Sequence, residues 1–260
     1  MNTLGNKIRV FRKLKGLSQL DLELTIGAST GTISRIENCD INPTKETILK
    51  IAKVLKLNSL ELEYLIGYLA EPASIQEIEE IRNSLKNELN KSTFFAYILD
   101  DRHRFIDISK GFRFATQMSD EDYQSTLLKF TPEVFLNEKL PFMRHVETSH
   151  VDEVFAYRFL EVYQDMFFME GDEAFDEMMK FIKSNPKAEI FWDKAAELYK
   201  SLIYRTYSAK ELKLSMFGAK FNINYNVEKI NNSNRFRLVE FKATNKFLNY
   251  MHRFINEHTR

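Results

Sequence analysis

The sequence predicts an α+β chain in three parts. These are an all-helical N-terminal domain over residues 1–69, a linker or dimerisation helix over 70–91, and a larger domain over 92–260 in which strands bracket a helical insert. Three observations carry this prediction. Residues 4–69 read as short helices with capping residues and one apolar stripe each. Aromatic content rises sharply beyond residue 90, where nearly all of the 22 Phe lie. Segments 94–108 and 216–243 run apolar or alternate like strands, whereas the stretch between them repeats at helical spacing.

The most informative elements come first. Ser18 is an N-cap with Asp21 three residues on, and Gly27 supplies a turn. Ser29 is expected to cap a second helix whose Ile33 and Ile36 face the core while Thr30, Ser34 and Arg35 face away. A helix face carrying small and basic hydrogen-bonding groups suits a DNA major groove. Charge agrees: residues 1–56 hold ten Lys/Arg against five acids, a net of +5, on a chain that is neutral overall. A basic end on an otherwise acidic protein is a directed electrostatic footprint for phosphates.

Residues 4–57 resemble the Cro/lambda-repressor-type helix-turn-helix of the xenobiotic-response-element-like (XRE) family. The carrying residues are Arg9, Arg12, Gly16-Leu17-Ser18-Gln19, Gly27, Thr32-Ile33-Ser34-Arg35-Ile36-Glu37, Asn42-Pro43-Thr44 and Leu49–Leu55. The resemblance implies double-stranded DNA as partner. It places Gln19 and Asn38 on backbone phosphates, and Ser29, Thr30, Thr32, Ser34 and Arg35 on the DNA-facing surface. Arg35 is the candidate for a bidentate guanine contact, and Arg12 with Glu37 matches a structural ion pair. Three residues depart from the family pattern. Glu23 stands where a small Ala is usual, Gly31 where a reading side chain is common, and Cys39 replaces the usual C-terminal Gly. Read as lying within the helix, Gly31 costs about 1 kcal/mol relative to Ala.

Residues 58–69 read as a fifth helix, ended by Pro72. A further helix is expected over Ser74–Asn90, with Ile75, Ile78, Ile81, Leu85 and Leu89 forming one stripe. It serves either as a signalling or dimerisation helix or as a cap packed on the larger domain. Phe94–Leu99 and Arg104–Ile108 are expected to pair as strands across the turn Asp100–His103. Helices follow at Glu121–Lys129, Glu133–His145, Asp152–Met169, Asp172–Lys183 and Ala188–Tyr204. Then come strands at Met216–Val227 and Phe236–Ala243 across an Asn-rich turn, and a last helix at Asn245–Glu257.

Two strands, a helical insert and further strands make an antiparallel sheet with helices on one face. In that order the segment resembles the PAS-like sensory fold. More narrowly, it resembles the ligand-binding domain of MmyB-like regulators through Ala96–Asp100, Ile190-Phe191-Trp192 and the hairpin at Phe221–Tyr225 and Leu238–Phe241. The resemblance implies sensing of an apolar small molecule such as a fatty acid. The candidate lining is Phe114, Phe130, Phe135, Phe142, Phe155, Phe159, Tyr163, Phe167 and Trp192, any of which can equally be plain core.

No histidine, cysteine or carboxylate pattern reads as a catalytic or metal site, so no enzyme activity, cofactor or metal is expected. The N-terminus lacks a signal-peptide pattern, no run is long enough to span a membrane, and one cysteine fits a reducing cytoplasm. The expected protein is therefore a cytoplasmic, homodimeric transcription regulator. Two alternatives are a peptide-responsive regulator whose second part is an all-helical array, and a phage-type repressor or antitoxin controlled by a protein partner.

Overall fold

The computed structural model describes residues 3–69, 71–143, 146, 148–201, 211–216 and 219–242, together with 244, 246 and 249. The chain forms two units. One joins Met1–Pro72 to Asp165–Glu177, and the other joins Ala73–Gln164 to Met178–Arg260.

The first unit holds five helices from its N-terminal stretch: α1 (Leu4–Leu14), α2 (Gln19–Ile26), α3 (Thr32–Glu37), α4 (Lys45–Val54) and α5 (Ser59–Leu65). Side chains of Thr3, Ser18, Thr44 and Asn58 cap four of them. Each cap satisfies an amide that the first helical turn leaves without a partner. Ile8, Phe11, Leu22, Ile33, Ile51 and Tyr64 are buried at the helix contacts. Helix α1 lies close against α3 at Gly5, where a Cβ would come 2.3 Å from the Ile36 carbonyl oxygen.

A side chain from far along the sequence completes this core. Phe168 is 1% exposed, and its ring lies 5.3 Å from that of Phe11 on α1 and 5.5 Å from that of Tyr64 on α5. Lys7 is also buried. Its ammonium donates to the Tyr64 carbonyl at 2.7 Å and lies 4.1 Å over the Tyr64 ring.

The second unit opens with α6 (Ile75–Ser84) and α7 (Lys86–Leu89), the single expected helix being interrupted at Leu85. Then come β1 (Ala96–Asp100), β2 (Phe105–Ile108), α8 (Lys110–Thr116), α9 (Asp120–Thr126) and α10 (Thr131–Leu136). The long helices α11 (Val151–Met166), α12 (Glu173–Ser184) and α13 (Pro186–Ser201) follow, and β3 (Glu211–Met216), β4 (Ala219–Lys229) and β5 (Phe236–Lys242) close the described part. The strands form one antiparallel sheet in the order β2-β1-β5-β4-β3. The fold is α+β, and this sheet rules out the all-helical alternative.

The neighbouring strands β1 and β5 come from opposite ends of the segment, and the helical insert runs between β2 and β3, the two edge strands. Every residue of β1 is buried because both faces of the sheet are covered there. On one face Ile98, Ile106 and Phe236 pack with Ile78, Ile81 and Leu89 from α6 and α7. This differs from the expectation of helices on one face only; the unbroken apolar run of β1 needs cover on both sides. By contrast β4 alternates, with Phe221, Ile223 and Tyr225 buried and Asn222 and Asn224 exposed.

Two other expectations change. The expected strand over 216–227 begins at Ala219 as β4, and Met216 belongs instead to β3 (Glu211–Met216), which was not expected and pairs with β4. The expected helix over 133–145 ends at Leu136, ahead of Pro141, whose ring cannot continue a helix. The expected turn Asp100–His103 is buried. Its charges pair as Asp101 with Arg102 at 2.6 Å and Arg235 at 2.9 Å, and as Asp100 with Arg104 at 2.7 Å. The expected helix over 245–257 lies outside the described residues.

The close approach at Gly5 is testable. Replacing Gly5 with Ala forces α1 away from α3 and should destabilise the protein by about 1–3 kcal/mol, the usual cost of overpacking. Urea unfolding read at both pH 7 and low salt checks this; unchanged stability contradicts the approach.

Candidate nucleic-acid interface and apolar cavity

One carboxylate orients α3. Glu37, the last residue of α3, has a side chain with no exposure. Its Oε1 accepts from Arg12 Nε at 2.6 Å, and its Oε2 accepts from Arg12 Nη2 at 2.9 Å and from Gln19 Nε2 at 2.8 Å. Arg12 also donates to the Leu17 carbonyl at 2.8 Å. Arg9 donates to the Glu37 carbonyl at 2.9 Å and to Asn38 Oδ1 at 2.7 Å. Helix α1, the start of α2 and the end of α3 thus meet on one buried anion. Burial pushes the Glu37 carboxyl up, but the hydrogen bonds from Arg12 and Gln19 and the charges of Arg12 and Arg9 outweigh it. The group ends below its ordinary value of 4.5.

The N-terminus of α3 is built differently from the expectation, in which Ser29 caps it. The N-cap is Gly31, at φ 84, with no side-chain cap of its own. Gly31 precedes the helix in a left-handed conformation that favours glycine, so the helix-interior cost does not apply. The missing acceptor comes from the preceding helix. Glu23 is 3% exposed, and its Oε1 accepts from the Ile33 amide at 2.8 Å. The carboxylate at the helix N-terminus also sits favourably in the helix dipole. The two departures at 23 and 31 therefore compensate each other: one removes a cap and the other supplies it across the turn.

At the other end Cys39 takes the left-handed position, with φ 64, where glycine is usual. Its amide reaches the Ile36 carbonyl at 3.0 Å and that of Asp40 reaches Arg35 at 2.8 Å, the paired closure that ends many helices. Between these ends Ser29, Thr30 and Arg35 are exposed, and Thr32 and Ser34 are half-buried. The Arg35 side chain makes no hydrogen bond or ion pair among the described residues. Gln19 is half-buried on Glu37, and Asn38 is exposed and tied to Arg9.

Residues 8–62 are a helix-turn-helix. They match the family of that description, whose members are DNA-binding transcription regulators. The match covers the helix-turn-helix and leaves the second unit outside it. Comparison with curated proteins gives no match for the chain. Among the described residues no helix is long and apolar enough to cross a membrane.

The second unit holds a partly open apolar pocket of about 70 Å³. It lies between the sheet, through Tyr97, Ile223 and Phe241, and the insert, through Phe112, Phe135 and Arg158. Of the nine aromatic residues expected to line a cavity, Phe135 and Phe142 do so. Phe155 and Phe159 instead stack on Phe191 at 5.3 and 5.7 Å, and Tyr163 packs on Trp192 at 4.9 Å. Phe130 is buried beside Arg104, to which it is bridged, and Phe114 is half-buried on α8. Phe167 belongs to the first unit, beside Phe168 at 5.5 Å. The helical insert has a core of its own, and that core takes up most of its aromatic residues.

Tyr97 and Arg158 were absent from the sequence-based set. A sequence signal existed for Arg158, which stands four residues from Val154 and Val162 on one otherwise apolar helix face. A lone cation on such a face has to be explained by something it meets inside.

The Glu37 junction gives a pH-dependent expectation. Because the folded-state value is depressed, the unfolded chain binds the proton more readily. The stabilisation is present above the ordinary 4.5 and is lost as pH falls through the lower folded value. Glu37→Gln removes one partner of a buried pair and should cost about 3–5 kcal/mol at pH 7. The gap between variant and parent should narrow in urea melts below pH 4.5; a gap independent of pH contradicts the assignment.

Proposed function

We propose that the protein is a sequence-specific regulator that acts as a homodimer in the cytoplasm, and that its second unit senses an apolar small molecule such as a fatty acid. Arg35 carries the DNA-reading part of this proposal. It is an exposed cation, without a side-chain partner among the described residues, on a helix fixed by the buried Glu37 junction. With Gly31 at the helix entrance and only short side chains at Thr30, Thr32 and Ser34, base readout rests mainly on Arg35 and on DNA shape. Gln19 and Asn38 flank it as phosphate contacts, which set register rather than sequence. A single short reading helix makes few base contacts, so specificity requires two half-sites about one helical turn apart and hence a second copy of the chain.

The sensing part is supported by the apolar pocket, and the PAS-like reading by the strand layout with a helical insert between β2 and β3. The chain also supplies a route for regulation. Helix α11 bears the cavity residues Val154 and Arg158 near its start, runs from the second unit into the first, and is followed by Phe168. A ligand that favours one position of α11 therefore biases the element that completes the helix-turn-helix core. An antitoxin-like or phage-type role, with a protein rather than a small molecule as effector, uses the same DNA-binding unit and leaves the cavity without a task.

Selection from a random duplex pool yields the operator, and anisotropy titration then compares Arg35→Ala with the parent. The expected loss is roughly 5–150-fold on the selected site, with relaxed preference at one base position, the usual worth of a bidentate contact. Equal affinity and preference contradict Arg35 as the principal reading residue.

A further inference from the structure

Tyr97 makes an expensive choice for its place in β1. The residue is fully buried, with its ring enclosed by Phe105, Phe112 and Phe241 at centroid distances of 5.0, 5.7 and 5.7 Å. Among the described residues its hydroxyl has no hydrogen-bond partner. A phenylalanine would fill the same space without desolvating a hydroxyl, so the position is poorly explained by packing alone. That side chain lines the cavity.

Arg158 lines the same cavity and is 4% exposed. Among the described residues it makes one hydrogen bond, from Nη1 to Glu161 Oε2 at 2.8 Å, and its guanidinium lies 4.2 Å over the Tyr225 ring. A guanidinium carries five N–H donors, so several remain for another acceptor. Glu161 has a side chain 19% exposed, so its carboxylate has access to water when a second anion takes its place. Burial holds the Tyr97 hydroxyl up at about 12 against the pull of the Arg158 charge, so it stays protonated and donates at neutral pH.

Thr116 also lines the cavity but donates its hydroxyl to the Phe112 carbonyl at 2.9 Å, so the donors offered to a ligand come from Tyr97 and the cation Arg158. Donors without acceptors select a ligand group that only accepts, and the cation favours one that is negatively charged. Granted the sensing role proposed above, we propose that Tyr97 and Arg158 are the head-group site for a carboxylate-bearing amphiphile. The carboxylate lies deep and the apolar tail points outward. Thr116, Met143, Leu212 and Leu214 line the cavity and are only half-buried, which marks the side on which the tail leaves. The volume of about 70 Å³ is well below the ~150 Å³ that admits benzene. It therefore holds the head and the first few carbons, and a longer tail parts the rim.

Calorimetric titration of the full-length protein with octanoate and with methyl octanoate tests this. Octanoate should bind at least about tenfold more tightly than its ester, and Tyr97→Phe should weaken octanoate roughly 10–100-fold, the worth of a hydrogen bond to a charged group. The same variant should bind the ester as the parent does. It should also unfold in urea at no lower a midpoint, because the hydroxyl it removes has no partner to lose. Acid and ester binding equally well, or Tyr97→Phe leaving octanoate affinity unchanged, overturns the head-group site while leaving apolar sensing intact. Binding of neither compound to the parent removes both.

Discussion

The constraint on which this architecture depends is a missing piece in the helix-turn-helix core that only a distant segment fills. The rings of Phe11 on α1 and Tyr64 on α5 both pack on Phe168, more than a hundred residues further on. An aromatic side chain buried in this way contributes on the order of 2–3 kcal/mol through area alone, with further gain from ring geometry. The DNA-binding unit is therefore not a contiguous piece of chain. The polypeptide leaves it at Pro72, returns at Asp165 and leaves again at Glu177. Any rearrangement of the helical insert that moves α11 acts on the segment bearing Phe168.

Within that unit, order is imposed by charges that water does not reach. Glu37 gathers Arg12, Gln19 and the reading helix onto one carboxylate, and Glu23 supplies the amide acceptor that Gly31 cannot. Buried ion pairs add little net stability, because desolvation offsets much of the attraction. Their effect is geometric: breaking one leaves an unpaired buried charge, so alternative orientations of α3 are disfavoured. The exposed surface of α3 can then remain small and polar without losing its orientation.

Much of this was legible in the sequence because it is local. The Ser18–Asp21 capping box, the turn at Gly27, the buried Ile33 and Ile36, the α+β class and the strands at either end of the insert follow from caps and periodicity. What escaped was set by contacts between distant residues. Gly31 read as a helix-interior cost and Glu23 as an oddity because the bond that links their roles, from the Ile33 amide to Glu23, crosses a turn. Strand β3 went unassigned because Leu212 and Leu214 are too short an alternation to mark a strand without the pairing to β4. Seven of the nine aromatic residues expected around a cavity lie away from it, Phe155 and Phe159 on Phe191 and Tyr163 on Trp192 among them, since apolar spacing marks the buried face of a helix and not what that face meets. The polar pole at Tyr97 and Arg158 went unseen because a Tyr in an apolar run carries no pattern of its own, and the lone cation on the apolar face of α11 does not say what it meets.

Hydrogen–deuterium exchange on full-length Phe168→Ala tests the central claim most directly. If Phe168 completes the helix-turn-helix core, amides of α1 around Ile8–Phe11 and of α5 around Tyr64 should lose protection, while those of β1 and β5 keep theirs. Unchanged protection in α1 and α5 would contradict it, because the DNA-binding unit would then be stable without the segment through which the insert is proposed to control it.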